Sequence, residues 1–245
     1  MTESALNRTG TGEFLGHPTG LVVCFLTEMW ERFSYYGMRG LLVLFMTDSR
    51  RGGLGFPVSK AAGLYGLYTA AVYLVALPGG WVADRILGQR RAVLIGGIII
   101  AAGHFSMAVP TTYTFYLGLV LIVMGTGLLK PNVSTVVADL YPQGGAQRDA
   151  GFSVFYMGIS LGPGGGPMIC SFLGEGYNGS VGVSAGGCGM GSGLVQVKEG
   201  GKDLGGGGHL RTSDAEAELA AKGRKFFGIF FGTLVALVLF GWLVA

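Results

Sequence analysis

What this 245-residue chain lacks first is charge: 13% of its residues are Asp, Glu, Lys or Arg, against roughly a quarter in an ordinary soluble domain. Half of the residues are hydrophobic and the mean hydropathy is +0.52, which excludes a disordered chain as well. Three cysteines build no disulfide framework. Cys24, Cys170 and Cys188 stand in apolar runs and read as small buried hydrophobes. Lys and Arg form no stripe interleaved with aromatics and the net charge is only +3, so no nucleic-acid partner is expected. The first 18 residues are polar and lack the apolar run of a signal peptide. His17, His104 and His209 match no metal-ligand spacing. No Ser/His/Asp or Cys/His constellation is evident, so neither an enzyme, a metal nor a cofactor is expected. One residue type is in excess: glycine, 47 in all, of which 19 fall within Gly162–Gly208.

Long apolar runs are what the chain does have. A membrane span needs about 20 mostly apolar residues, and seven candidates meet that: Gly20–Thr47, Val58–Ala83, Ala92–Val109, Tyr113–Ala138, Gly151–Leu173, Gly179–Val197 and Phe226–Ala245. The sixth is the weak one, because each glycine costs a helix about 1 kcal/mol relative to Ala. The expected organisation is a tail over 1–17, a six-helix bundle over 18–198, a charged Gly-rich linker over 199–225 and a further helix over 226–245. Within the linker, Ser213 and Glu216 have capping-box spacing. Arg85, Arg90, Arg91, Arg148, Lys198 and Lys202 fall in alternate loops, with four more cations after them, against Arg50, Arg51 and Lys60 on the other side. By the positive-inside rule the N-terminus is cytoplasmic and the protein a multi-pass protein of the cytoplasmic membrane.

Four charges stand where a membrane span should have none. Glu28, Glu31 and Arg32 lie well inside the first run, and Lys130 inside the fourth. With Tyr35 and Tyr36, the first three are linked by helical spacings of three, four and seven and share one face. Each costs about 2.5–3.5 kcal/mol at membrane depth on insertion scales, so they line a protein interior or a watery cavity. Their charges sum to zero. Protonating one glutamate leaves a cation ready for a substrate carboxylate, the coupling that proton symport requires; a structural ion-pair network is the competing reading. Pro131, next to Lys130, frees a backbone carbonyl one turn earlier. Tyr65 and Tyr73, eight apart, and Tyr156 add rings with hydroxyls that suit a polar ligand. The loop after span two, Gly80-x-x-x-Asp84-Arg85-x-x-Gly88-x-Arg90-Arg91, is more specific than a merely basic turn.

These residues together resemble the proton-dependent oligopeptide transporter family of the major facilitator superfamily. Glu28-Met29-Trp30-Glu31-Arg32-Phe33-Ser34-Tyr35-Tyr36-Gly37 matches the E-x-x-E-R-F-x-Y-Y-G motif. Gly80–Arg91 looks like the superfamily's loop motif, Leu129-Lys130-Pro131-Asn132 its fourth-helix motif, and Phe152–Gly162 the second signature. The resemblance implies a fold: an all-α polytopic membrane bundle, the N-terminal six-helix half of a major-facilitator fold plus one further helix. Each half contains inverted three-helix repeats. It implies roles as well: Glu28 and Glu31 in proton coupling, Arg32 and Lys130 on the peptide carboxylate, and Tyr36, Tyr73, Tyr35 and Tyr65 lining the peptide site. Arg39 matches an outer-gate position that pairs with an acidic residue of the C-terminal half.

Three departures bear on function. Ser160 replaces the family's Asn at a peptide-facing position, and a hydroxyl is shorter and lacks the amide's paired donor and acceptor. Glycine replaces bulky residues after Leu161, which reads as the point where agreement fades and the sequence decays. The chain also has about half the family's length. The expectation is a di-/tripeptide–proton symporter present as its N-terminal half, needing peptides, protons, the bilayer and a missing C-terminal bundle. A non-transporting structural fragment is the alternative, and a channel or assembly subunit built on the glycine-rich helices a third.

Overall fold

The computed structural model describes residues 12–204 and, beyond them, Gly223, Lys225, Gly228, Gly232 and Val235. A hairpin of β1 (Glu13–Phe14) and β2 (His17–Pro18) leads into six helices. These are α1 (Gly20–Thr47), α2 (Val58–Leu87), α3 (Gln89–Ala108), α4 (Thr112–Asp139), α5 (Gly145–Gly176) and α6 (Gly179–Glu199). The all-α bundle read from the sequence is the one that forms. The capping box at Ser213 and Glu216, His209 and, apart from isolated positions, the run Phe226–Ala245 lie outside the described residues.

By length and composition α2, α3 and α4 are apolar enough to cross a membrane. The other three, at 28, 32 and 21 residues, are long enough at about 1.5 Å per residue, but α1 carries charge and α5 and α6 carry glycine. Even so α6 is a continuous helix, with Asn178 Oδ1 accepting from Val181 N–H at 2.9 Å at its start. Cys24 and Cys170 are buried, but Cys188 is exposed. It lies on the side of α6 that also carries the half-exposed Val195, away from the neighbours that bury Gly187 and Gly189.

The helices approach closely because glycine lets them. Along α3 and α4, a side chain at Gly96 would put its Cβ 2.7 Å from the Gly125 carbonyl, and one at Gly103 would stand 2.9 Å from the Gly118 carbonyl. The α2–α3 turn depends on Gly88, whose φ of 76° suits glycine. Helix α1 runs through the bundle, packed on α5 and α6 and touching α2 and α4.

At one end the hairpin is tied to the α4–α5 connection. The Tyr141 hydroxyl and His17 Nδ1 share a hydrogen bond at 2.9 Å, and Gln147 Nε2 donates to the Gly16 carbonyl at 3.0 Å. Burial, with the nearby Cys24 thiol, pushes Tyr141 up to about 12. The phenol therefore stays protonated.

Candidate functional site

The charged face of α1 is buried. Glu28 is 2%, Glu31 1% and Arg32 5% exposed. One turn of helix brings the Arg32 guanidinium over Glu28: Nε and Nη2 both donate to Glu28 Oε1, at 2.8 and 2.5 Å. Glu31 is held more loosely, with Oε2 3.3 Å from Arg32 Nη1 and neither oxygen in hydrogen-bond geometry. The contact triad thus carries two carboxylates on one guanidinium, a net charge of −1.

Helix α5 makes this burial possible. A side chain at Gly162 would put its Cβ 2.5 Å from the Met29 carbonyl and 2.5 Å from Arg32 Cβ, and one at Gly158 would stand 2.7 Å from the Phe25 carbonyl. Gly166, four residues on, meets the Phe33 carbonyl in the same way. Helix α6 takes the bulky side of α1 in the same manner: Gly189 faces the Phe33 ring and Gly193 the Trp30 side chain. Gly162, Gly166, Gly189 and Gly193 therefore form a surface that seals the charged helix. They are no mark of decay.

Lys130 completes the charge balance from a distance. Its Nζ lies 4.8 Å from the centroid of the Tyr73 ring, and among the described ion pairs none joins it to Glu28 or Glu31. Lys130 is half-buried and Tyr73 is 58% exposed, so this cation faces an open region. The carbonyl that Pro131 cannot bond, that of Gly127, presses on Gly79 of α2. The sequence pattern singled out Gly80, but Gly79 is the glycine that this approach requires; a side chain at Gly80 would meet only the Pro131 ring at ordinary distance.

Aromatic residues gather around a further cation, Arg39. Tyr35 meets Tyr36 edge-on at 5.1 Å and stacks with Tyr68 at 6.3 Å. Arg39 donates to the Tyr65 hydroxyl and lies over the rings of Tyr65 and Tyr35, 5.1 and 5.9 Å from their centroids. Tyr68 escaped the sequence reading, which took Tyr65 and Tyr73 for their spacing. It is 3% exposed and its hydroxyl, like that of Tyr35, has no hydrogen-bond partner; its place three residues after Tyr65 was the available signal.

Ser160 stands apart: it is exposed and its hydroxyl donates to the Tyr156 carbonyl at 3.2 Å. The loop motif also lies away from the charged face. Asp84 accepts from Gln89 Nε2 at 2.9 Å, Arg90 donates to the Gly201 carbonyl, and Arg85 and Arg91 are exposed. A second buried polar contact went unread: Ser34 Oγ and His104 Nε2 are 2.6 Å apart, both residues fully buried, joining α1 to α3.

With this geometry in hand, similarity to known proteins is informative. Residues 90–197 match the family model described as POT family, PTR2, so the match runs through the glycine-rich stretch and past Leu161. The chain is 47% identical over 195 residues to the uncharacterized transporter YclF of Bacillus subtilis (strain 168), covering 79% of this chain and 40% of that protein. It is 44% identical over 189 residues to a di-/tripeptide transporter of Lactococcus lactis subsp. lactis (strain IL1403), covering 76% and 38%. A crystal structure of peptide transporter POT in complex with sulfate superposes with a TM-score of 0.85 at 41% identity, covering 98% of this chain and 50% of that one. The chain spans about 40% of the length of these curated relatives.

Proposed function

We propose that the chain, whose residues 90–197 match the POT family model and which superposes on about half of such a transporter, forms the proton- and carboxylate-handling half of a di-/tripeptide symporter of the cytoplasmic membrane, with its N-terminus inside. Secondary active transport is the mechanism, with no chemical conversion of the peptide. The observation that carries this reading is the buried triad of Glu28, Glu31 and Arg32 with its net charge of −1.

One proton brings that triad to neutrality. Glu31 is the less committed of the two carboxylates, because no hydrogen bond holds either of its oxygens, whereas Glu28 is tied to Arg32. With Glu31 protonated, Arg32 and Lys130 present two cations to one remaining carboxylate. The surplus positive charge takes the carboxylate of a peptide, while Tyr36, Tyr73, Tyr35 and Tyr65 offer rings and hydroxyls to its backbone. Charge-assisted bonds of this kind are roughly twice as strong as neutral ones. Arg39 on Tyr65 belongs to the gate region, Ser160 to the peptide-facing side, and Gly80, Asp84, Arg85, Gly88, Arg90 and Arg91 to the loop that guides the rocking of the half.

Alternating access needs two bundles moving about one site, and the described residues form one. The test is uptake of a labelled dipeptide into liposomes under an inward proton gradient, with the chain alone and with a second six-helix bundle supplied in trans or by fusion. Uptake is expected only in the two-bundle sample, and Glu31→Gln or Lys130→Ala abolishes its proton-driven component. Full proton-driven uptake with both substitutions in place rules the coupling scheme out. A two-bundle sample that never takes up peptide favours a structural role.

A further inference from the structure

Where Cys24 and Thr27 stand one turn before Glu28 and Glu31, a cavity of about 540 Å³ opens between the ends of α1, α3, α4 and α6, beside the α2–α3 turn. That size falls among small-molecule sites, roughly 300–1,000 Å³. Its walls are aliphatic, with Val93 and Leu94 from α3 and Val133 and Val136 from α4. Its mouth carries Arg90, Arg91 and Lys198, and no carboxylate is among its described lining residues. Arg90 also donates to the Gly201 carbonyl, which braces the turn that follows α6 against the start of α3.

Three cations above an apolar slot complement a ligand with an anionic head and a hydrocarbon body. A free peptide fits poorly, because no carboxylate among the described lining residues would take its ammonium group. Basic pockets between transmembrane helices on the cytoplasmic side are suited to anionic lipid head groups, and the orientation proposed above puts this end in the cytoplasmic leaflet. We propose that the cavity is a binding site for an anionic phospholipid, with its phosphate among Arg90, Arg91 and Lys198 and part of an acyl chain along the valines. The site rests on the transport reading only for the choice of leaflet. An occupant would clamp the start of α3 to the end of α6.

The full chain, purified in detergent, is titrated with phosphatidylglycerol, phosphatidylcholine or inorganic phosphate, and bound adducts are read by native mass spectrometry. Phosphatidylglycerol is expected to bind at least roughly tenfold more tightly than phosphatidylcholine, as expected for a few cations near the head group. Arg91→Gln with Lys198→Gln, both at exposed positions, should remove that preference. Leu94→Trp, which fills the slot and keeps every charge, should weaken phosphatidylglycerol in the wild-type charge background. Equal binding of the two lipids, or an unchanged preference in the double variant, overturns the proposal. Displacement of phosphatidylglycerol by millimolar phosphate also overturns it, in favour of a simple anion site. Because no transport is measured, failure here leaves the symport reading standing, and failed uptake leaves the lipid site standing.

Discussion

Two glycine-lined seams hold this bundle together, and they cover different things. Between α3 and α4, glycines at matching depths bring two apolar helices together, and the neighbours are aliphatic side chains such as Ile100 and Ile122. Between α1 and α5, Gly158, Gly162 and Gly166 do the same against a helix that carries three charges. The first seam is packing alone. The second also strips water from an ion cluster, and that raises the consequence of every charge beside it. Close approach is thus a structural device in one place and an electrostatic one in the other.

The sharpest way to break that contrast is to delete a charge beneath the second seam. Arg32→Ala leaves Glu28 without both of its hydrogen bonds and two buried carboxylates without their guanidinium, and losing one partner of a buried pair costs about 3–5 kcal/mol. A marked drop in the thermal midpoint in detergent is expected. Ile122→Val at the apolar seam should cost only about 0.5–1.5 kcal/mol, and an equal loss in the two variants would erase the distinction.

Next in size is crowding. Gly162→Val and Gly125→Val each drive a side chain into a facing backbone or Cβ, and overpacking costs about 1–3 kcal/mol. Gly164→Ala, where nothing lies within 4 Å, should instead hold or raise stability by up to about 1 kcal/mol. Monodispersity on gel filtration together with the thermal midpoint separates the three. A harmful Gly164→Ala would mean that the glycine content as such matters, and not the seam.

A smaller effect is expected where α1 meets α3. Ser34→Ala removes the contact with His104 and leaves a buried imidazole nitrogen unpaired, at about 1–3 kcal/mol. The thermal midpoint in detergent checks this, and recovery in Ser34→Ala combined with His104→Phe would identify the contact as the cause. The smallest change is Ser160→Asn. A longer amide at this exposed position should tighten peptide binding severalfold, the worth of about one neutral hydrogen bond. Competition against a labelled dipeptide in the two-bundle sample reads it.

Much of this site was legible in the sequence because helical spacing is a strong constraint. Glu28, Glu31 and Arg32 had to share a face, and three charges on one face of a membrane helix had to be covered. How the cluster is wired was not legible. Spacing places both glutamates on one face with Arg32, and side-chain geometry gives Glu28 two hydrogen bonds and Glu31 none. Charge arithmetic paired Lys130 with the cluster, but its ammonium lies over Tyr73. Two adjacent glycines look alike in a motif, and only the approach of α4 separates Gly79 from Gly80.

The largest misreading came from composition. Glycine after Leu161 weakens local helix propensity, and on that ground the stretch looked degenerate. Propensity is a local quantity, and the compensation is not local: it comes from Arg32, Phe33 and Trp30 on α1, more than a hundred residues away in sequence, which fit only against a surface without side chains. Sequence was enough for the helices and the charged face, because each follows from spacing and hydropathy within one segment. The tertiary structure decided which carboxylate is tied down, which cation is left open, and that glycine seals the site, because those outcomes depend on distances between segments that no single segment encodes.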